Sequence, residues 1–350
     1  MRSCRTSWSS PLSAAALALP LGLLATGEAS AHVKWFCAFD VAGQPRGLEQ
    51  VLCADFEWLA ALSILCLMFG CLAEGTPLGT SLLNALDRVT TRLRTDTELL
   101  VRATLGFFFV SLWTLGGIIL TPELKTDASW IPWLQLAIAA CLIWRRTMPL
   151  AGAGIVFLFG FATWQYGAFH LADYPVFLGV AAYLILTGLD RTLYGIRPID
   201  VVRAAAAVTL MWASVEKWAY PDWTAPLLAA KPAMTLGASP ELFMKAAGVI
   251  EFTLAFALIW TPLVRRTAAI ILAAIFVSAV FEFGKVDMIG HSGIIVVLIG
   301  IAADDRRVAA TRRDVVLAPA YYGAALAGFL ALYYVGHSLL FAPLTAAPVI

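Results

Sequence analysis

Charge is what this chain has least of. Asp, Glu, Lys and Arg make up 13% of its 350 residues, where a soluble domain carries about 25%, and hydrophobic residues reach 61%. That scarcity excludes an ordinary soluble domain, and a mean hydropathy of +0.82 points to an integral membrane protein. The formal net charge is only +1, which argues against a nucleic-acid partner. Six cysteines occur with no C-x-x-C among them, so thiol–disulfide exchange by this chain alone is not expected. A phosphate-binding P-loop, a dinucleotide fingerprint, H-E-x-x-H and G-x-S-x-G are also missing.

What fills the chain instead is apolar segments, and a bilayer core needs about 20 such residues per helix. Ten spans end at charges, Pro or Gly, at 56–73, 99–120, 131–144, 149–169, 175–189, 201–219, 246–263, 267–283, 289–303 and 315–341. The expected fold is therefore all-α, a polytopic membrane bundle of about ten transmembrane helices in contact with the lipid bilayer.

The first 31 residues read as a secretory signal. Arg2 and Arg5 form a positive start, an apolar Ala/Leu-rich run follows, and Ala29-Ser30-Ala31 is a small-x-small cleavage pattern. The plainer alternative is an uncleaved first membrane helix. Cleavage makes His32 the mature N-terminus on the periplasmic side of a bacterial inner membrane, and ten spans return the C-terminus to that side. Fifteen of the sixteen arginines beyond the leader then fall on the cytoplasmic side, Arg46 being the exception, as the positive-inside rule requires. Cys37 and Cys53 lie in the exported segment, where a disulfide between them can form. Cys66, Cys71 and Cys141 read as small buried hydrophobes inside helices.

An internal repeat divides the chain. Val101-Arg102-Ala103 and Val202-Arg203-Ala204 open two four-helix units, and Leu142-Ile143-Trp144 and Leu258-Ile259-Trp260 each precede an Arg-Arg pair. Residues 1–31 are then the leader, and 32–98 the exported segment, first span and cytoplasmic connector. The first unit is 99–190, the second 200–305, and the last span with its tail 315–350. Matched ends set Gln135 opposite Glu251, Leu115 and Gly116 opposite Glu216 and Lys217, and Ala162 or Trp164 opposite Glu282. The first unit reads as scaffold, the second as carrier of one site.

That site is the set Glu216, Lys217, Glu251, Glu282, Asp287 and His291, all near the exported ends of their helices. An ionisable group at the centre of a membrane helix costs roughly 2.5–3.5 kcal/mol, so such groups are paired or used. Paired, Lys217 meets Glu251 or Glu216 and His291 meets Asp287, and the protein is a structural membrane component. Four carboxylates facing one lysine and one histidine leave a negative surplus, however, which suits proton handling, a cation or a polar ligand. His32, with its free amine and imidazole, is a candidate copper ligand, so a cation (copper or proton) transport or accessory role is an alternative.

Several of these residues carry a resemblance. Arg203 opens a first helix that Glu216-Lys217-Trp218 closes, Gly248 and Glu251 stand in the second, Phe283-Gly284 follows, and His291 opens the last. In these features residues 203–305 resemble the DoxX-like family of four-helix membrane proteins, and 99–189 looks like a diverged second copy. The resemblance implies a membrane subunit of a periplasm-facing redox system, since the family includes a small subunit of thiosulfate:quinone oxidoreductase. Quinone contact and periplasmic or membrane redox partners are the expectation that follows. Lys217 would orient a carbonyl or anionic group, and Glu251 and Glu282 would relay protons. His291 would bind or donate at the mouth, with Glu216 and Asp287 lining the substrate.

Overall fold

The computed structural model describes residues 44–307 and 311–340. The leader, His32 and Cys37 lie outside the described residues, as does the side chain of Glu282.

The principal helices are α1 (Ala54–Glu74), α2 (Pro77–Leu115), α3 (Ile131–Cys141), α4 (Met148–Tyr166), α5 (Pro175–Gly188), α6 (Pro198–Ala219), α7 (Pro240–Ala257), α8 (Pro262–Phe283), α9 (Lys285–Ala303) and α10 (Arg312–Leu340). Among the described residues, seven helical stretches are long and apolar enough to cross a membrane. These contain α1, α2, α4, α6, α8, α9 and α10. Helices α3 and α5 are shorter, and α7 carries Glu241, Lys245 and Glu251 along its 18 residues. Among the described residues no strand forms, only isolated bridges between Ile118 and Lys125 and between Leu193 and Ile196.

Pro at the first or second position starts many of these helices, where its missing N–H is no loss. The structure moves several expected boundaries. The connector before the second span and that span are one helix of 39 residues, capped by the Thr76 hydroxyl, which accepts from Gly79 N. Helix α7 begins at Pro240, behind a Ser239 cap, not near residue 246. Helix α8 begins at Pro262, so Arg265 and Arg266 sit within its first two turns instead of in a loop. Helices α4 and α8 end alike, at Gly167 and Gly284 with φ of 87° and 82°, a backbone region open to glycine.

Packing is cyclic. Helix α2 packs on α3, α3 on α4 and α4 on α5, just as α6 packs on α7, α7 on α8 and α8 on α9. The ring closes where α5 lies along α6 and α9 lies along α2. Helices α1 and α10 lean on the outside of this ring, against α7 and against each other. Their exposed faces are apolar, with Trp58, Phe69, Leu332 and Leu339 all turned outward, the arrangement that lipid solvates. Cys66 is exposed on α1, which corrects its reading as a buried residue, while Cys71 is buried.

Candidate functional site

Helix α6 delivers two neighbouring ionisable residues to different places, because successive residues on a helix are about 100° apart. Lys217 turns toward α7, where its Nζ lies 2.8 Å from Glu251 Oε2. Glu216 is buried and lies within electrostatic reach of Tyr333 on α10, near the Tyr220 hydroxyl that meets His337 Nε2 at 3.0 Å.

Glu251 is eleven residues into α7 (251 − 240), about 16 Å along its axis. Lys217 is two residues from the end of α6, so the first turns of α7 rise beyond α6. Above the pair they wall a small, partly open cleft, with room for about one water molecule, whose lining includes Arg46, Gln50, Lys217, Glu241 and Lys245. Arg46 Nη1 lies 3.2 Å and Lys245 Nζ 3.1 Å from Glu241 Oε1. Lys245 Nζ also donates to Cys53 Sγ at 2.9 Å. The Lys245 ammonium, helped by the Phe56 amide, holds the Cys53 thiol below the usual thiol range. Glu241 is held below the usual carboxylate range chiefly by the same ammonium. Three cations (Arg46, Lys217, Lys245) thus face two carboxylates (Glu241, Glu251) around the cleft. The negative surplus expected of the six residues is not gathered at this cleft, because Glu216 and Asp287 lie elsewhere and Arg46 and Lys245 bring positive charge to it.

Asp287 and His291 form a separate pair one turn apart on α9, His291 Nδ1 to Asp287 Oδ2 at 2.9 Å. Both are buried, and the Phe276 ring of α8 lies 4.8 Å from the imidazole. The pair lies within one helix, so it does not itself tie two helices together. Of the five described members of the expected set, Lys217 lines the cleft with Glu251 behind it, and Glu216, Asp287 and His291 are not among its walls. Both pairings foreseen for a purely structural role, Lys217 with Glu251 and His291 with Asp287, are the ones observed.

Polar side chains are also buried among α2 to α5. Gln135, which the sequence aligns with Glu251, is fully buried; its amide nitrogen donates to the carbonyls of Ile118 and Ile119 at 2.6 and 3.0 Å, just past the end of α2, while its Oε1 has no partner among the described residues. Glu123, buried in the connection after α2, holds His170 Nε2 at 2.8 Å on one oxygen and accepts from the Tyr174 hydroxyl on the other. The Tyr166 ring stacks on His170 with centroids 5.6 Å apart. Sequence reasoning missed this cluster. The available signal was register: His170 and Tyr174 stand three and seven residues past Gly167, as Asp287 and His291 stand past Gly284.

Among the described residues no group of three or more His, Cys, Asp or Glu is disposed to hold a metal ion. The copper reading therefore rests on His32 alone, and the Cys37–Cys53 pairing likewise involves a residue outside the described ones. Comparison of the chain with protein-family models, curated proteins and solved structures finds no match.

Proposed function

We propose that this is a DoxX-like, multi-pass protein of a bacterial inner membrane, built of two tandem four-helix units, which serves a redox system on its exported side. The cleft at Lys217 and Glu251 is its working site. The observation that carries this reading is the contrast between two corresponding positions. Gln135 in the first unit is sealed and hydrogen-bonded to backbone, whereas Lys217 and Glu251 keep about a quarter and a fifth of their side-chain surface open beside a charged cleft. Keeping that surface open spares both ions part of the desolvation cost of burial and leaves them within reach of a ligand. The duplication is supported by the matching helix order, the paired glycines at 167 and 284, and the arginines after each second helix. In each unit these arginines reach the end of the fourth helix, Arg145 to Thr187 O and Arg266 to Ala302 O.

In this reading Lys217 presents its ammonium to a carbonyl or anionic group in the cleft, and Glu251 sets the position of that ammonium and exchanges its proton. Asp287 with His291 acts as a buried polar support for α8 and α9. The test is to express the protein with its chromosomal neighbours and assay quinone reduction. Loss of activity in Lys217→Ala and Glu251→Gln, with folding intact, is expected. Wild-type activity in both variants sinks the proposal and leaves a structural role for the pair.

A further inference from the structure

The opposite end of α6 holds a charge imbalance that the proposed function does not use. Asp200 and Asp304 are both buried, and four arginines converge on them. Arg197 reaches Asp304 through both terminal nitrogens at 2.9 and 2.8 Å and Asp200 at 2.9 and 3.1 Å. Arg203 meets Asp200 at 3.1 Å, Arg265 meets Asp304 at 3.3 Å, and Arg306 meets Asp200 at 3.3 Å. Four guanidinium groups share two carboxylates, a formal excess of two positive charges among the described residues.

The hydrogen bonds show the same deficit. Arg265 is 4% exposed, and its Nε has no acceptor, although its Nη2 donates to the carbonyls of Asp304 and Arg306. Nε and Nη1 of Arg203 are also buried without an acceptor. A buried donor left unmade costs about 1–3 kcal/mol, and more when charged.

The first unit supplies an internal control. Arg102 and Arg145, at the corresponding helix ends, face Glu98 and Asp190, two cations against two anions. Arg102 spends its remaining donors on the carbonyls of Leu142 and Ile143. No nitrogen of either arginine is buried and unpaired. In the second unit Arg197 and Arg306 join the corresponding arginines with no added carboxylate, and nitrogens of Arg203 and Arg265 are left buried without an acceptor among the described residues.

We propose that Arg197, Arg203, Arg265 and Arg306 form a binding site for a phosphate-bearing anion. A phosphodiester headgroup supplies one of the two missing charges and inorganic phosphate up to both, either offers acceptors for the orphaned donors, and guanidinium groups match phosphate in bidentate geometry. The cluster lies at the end of an apolar bundle, the level at which lipid headgroups stand, and basic pockets there take headgroup phosphates. Arg306 is about half exposed and closes the cluster from outside, so it is the side chain that moves aside for the ligand.

The purified full-length protein distinguishes the sources. Its thermal midpoint is measured in nanodiscs of phosphatidylglycerol against phosphatidylcholine, and in detergent with inorganic phosphate against chloride at equal ionic strength. A rise with phosphatidylglycerol alone assigns the site to a headgroup, and a rise with inorganic phosphate alone assigns it to a soluble phosphate. A rise in both makes the phosphate group itself the determinant. Arg203→Gln and Arg306→Gln are expected to weaken the effect at least tenfold in ligand concentration, and Arg145→Gln in the balanced cluster to leave it unchanged. Arg306→Gln, at a half-exposed position, keeps the test readable if Arg203→Gln does not fold. No rise in either arm, or the same rise in wild type and both variants, overturns the proposal.

Discussion

Trp218 on α6 stacks so closely against Gly248 on α7 that a Cβ at position 248 would lie 2.2 Å from the indole Nε1. The indole donates to the Lys245 carbonyl at 3.3 Å, and its ring meets Phe56 and Phe252. This contact sets how far α7 slides along α6, and with it the meeting of Lys217 and Glu251 one turn away.

Gly248→Ala is therefore expected to destabilise the protein by about 1–3 kcal/mol, the usual cost of overpacking a tight contact. Denaturant unfolding in detergent measures it, and Trp218 fluorescence should shift because the indole must move. An unchanged midpoint with unchanged fluorescence would show that the helices part without cost.

For the ion pair, a double-mutant cycle of Lys217→Met and Glu251→Gln should return a coupling of about 1 kcal/mol, near the top of the range for partly exposed pairs. Activity is expected to fall much further than stability in each single variant. Parallel small losses in both quantities would favour the structural role.

The Glu123 cluster makes a stability prediction of its own. Tyr174→Phe removes a donor from a buried carboxylate and should cost about 1.5–3 kcal/mol. Glu123→Ala strands His170 and Tyr174 together and should cost about 3 kcal/mol or more. Midpoints of the two variants in the same detergent check the order; a milder Glu123→Ala would contradict it.

Cys53 carries a pH dependence. Because the Lys245 ammonium lowers the thiol's pKa, its thiolate persists to lower pH than in an ordinary cysteine. Alkylation of the reduced protein, mapped by mass spectrometry, should slow only below the pH at which common thiols already stop reacting. Lys245→Met should move that fall-off upward. A fall-off at the usual thiol value in the wild type would refute the contact.

Much of the architecture was legible in residue order. Scarce charge and long apolar runs identify helices that a bilayer can solvate, and Pro, Gly and arginine pairs mark most of their ends. Boundaries slipped where polar residues continue a helix beyond its apolar part, as in the 39 residues of α2 and the start of α7 at Pro240. Hydropathy registers the apolar stretch, whereas backbone hydrogen bonding continues through Glu241 and Lys245. The candidate site was legible only in its members. Lys217 and Glu251 were identifiable as costly residues, but Arg46 and Lys245, which reverse the local charge balance, looked like ordinary residues at a span end.

Composition and periodicity by themselves determined that this chain is helical and apolar enough for a membrane, because those properties are local sums over neighbouring residues. The tertiary structure alone decided partners. Arg46 meets Glu241 across 195 residues, Glu216 and Lys217 turn to different helices, and Arg203 lacks the carbonyls that Arg102 finds. Those choices depend on the rotation and slide of whole helices, set by contacts such as Trp218 on Gly248, and no window of sequence contains them.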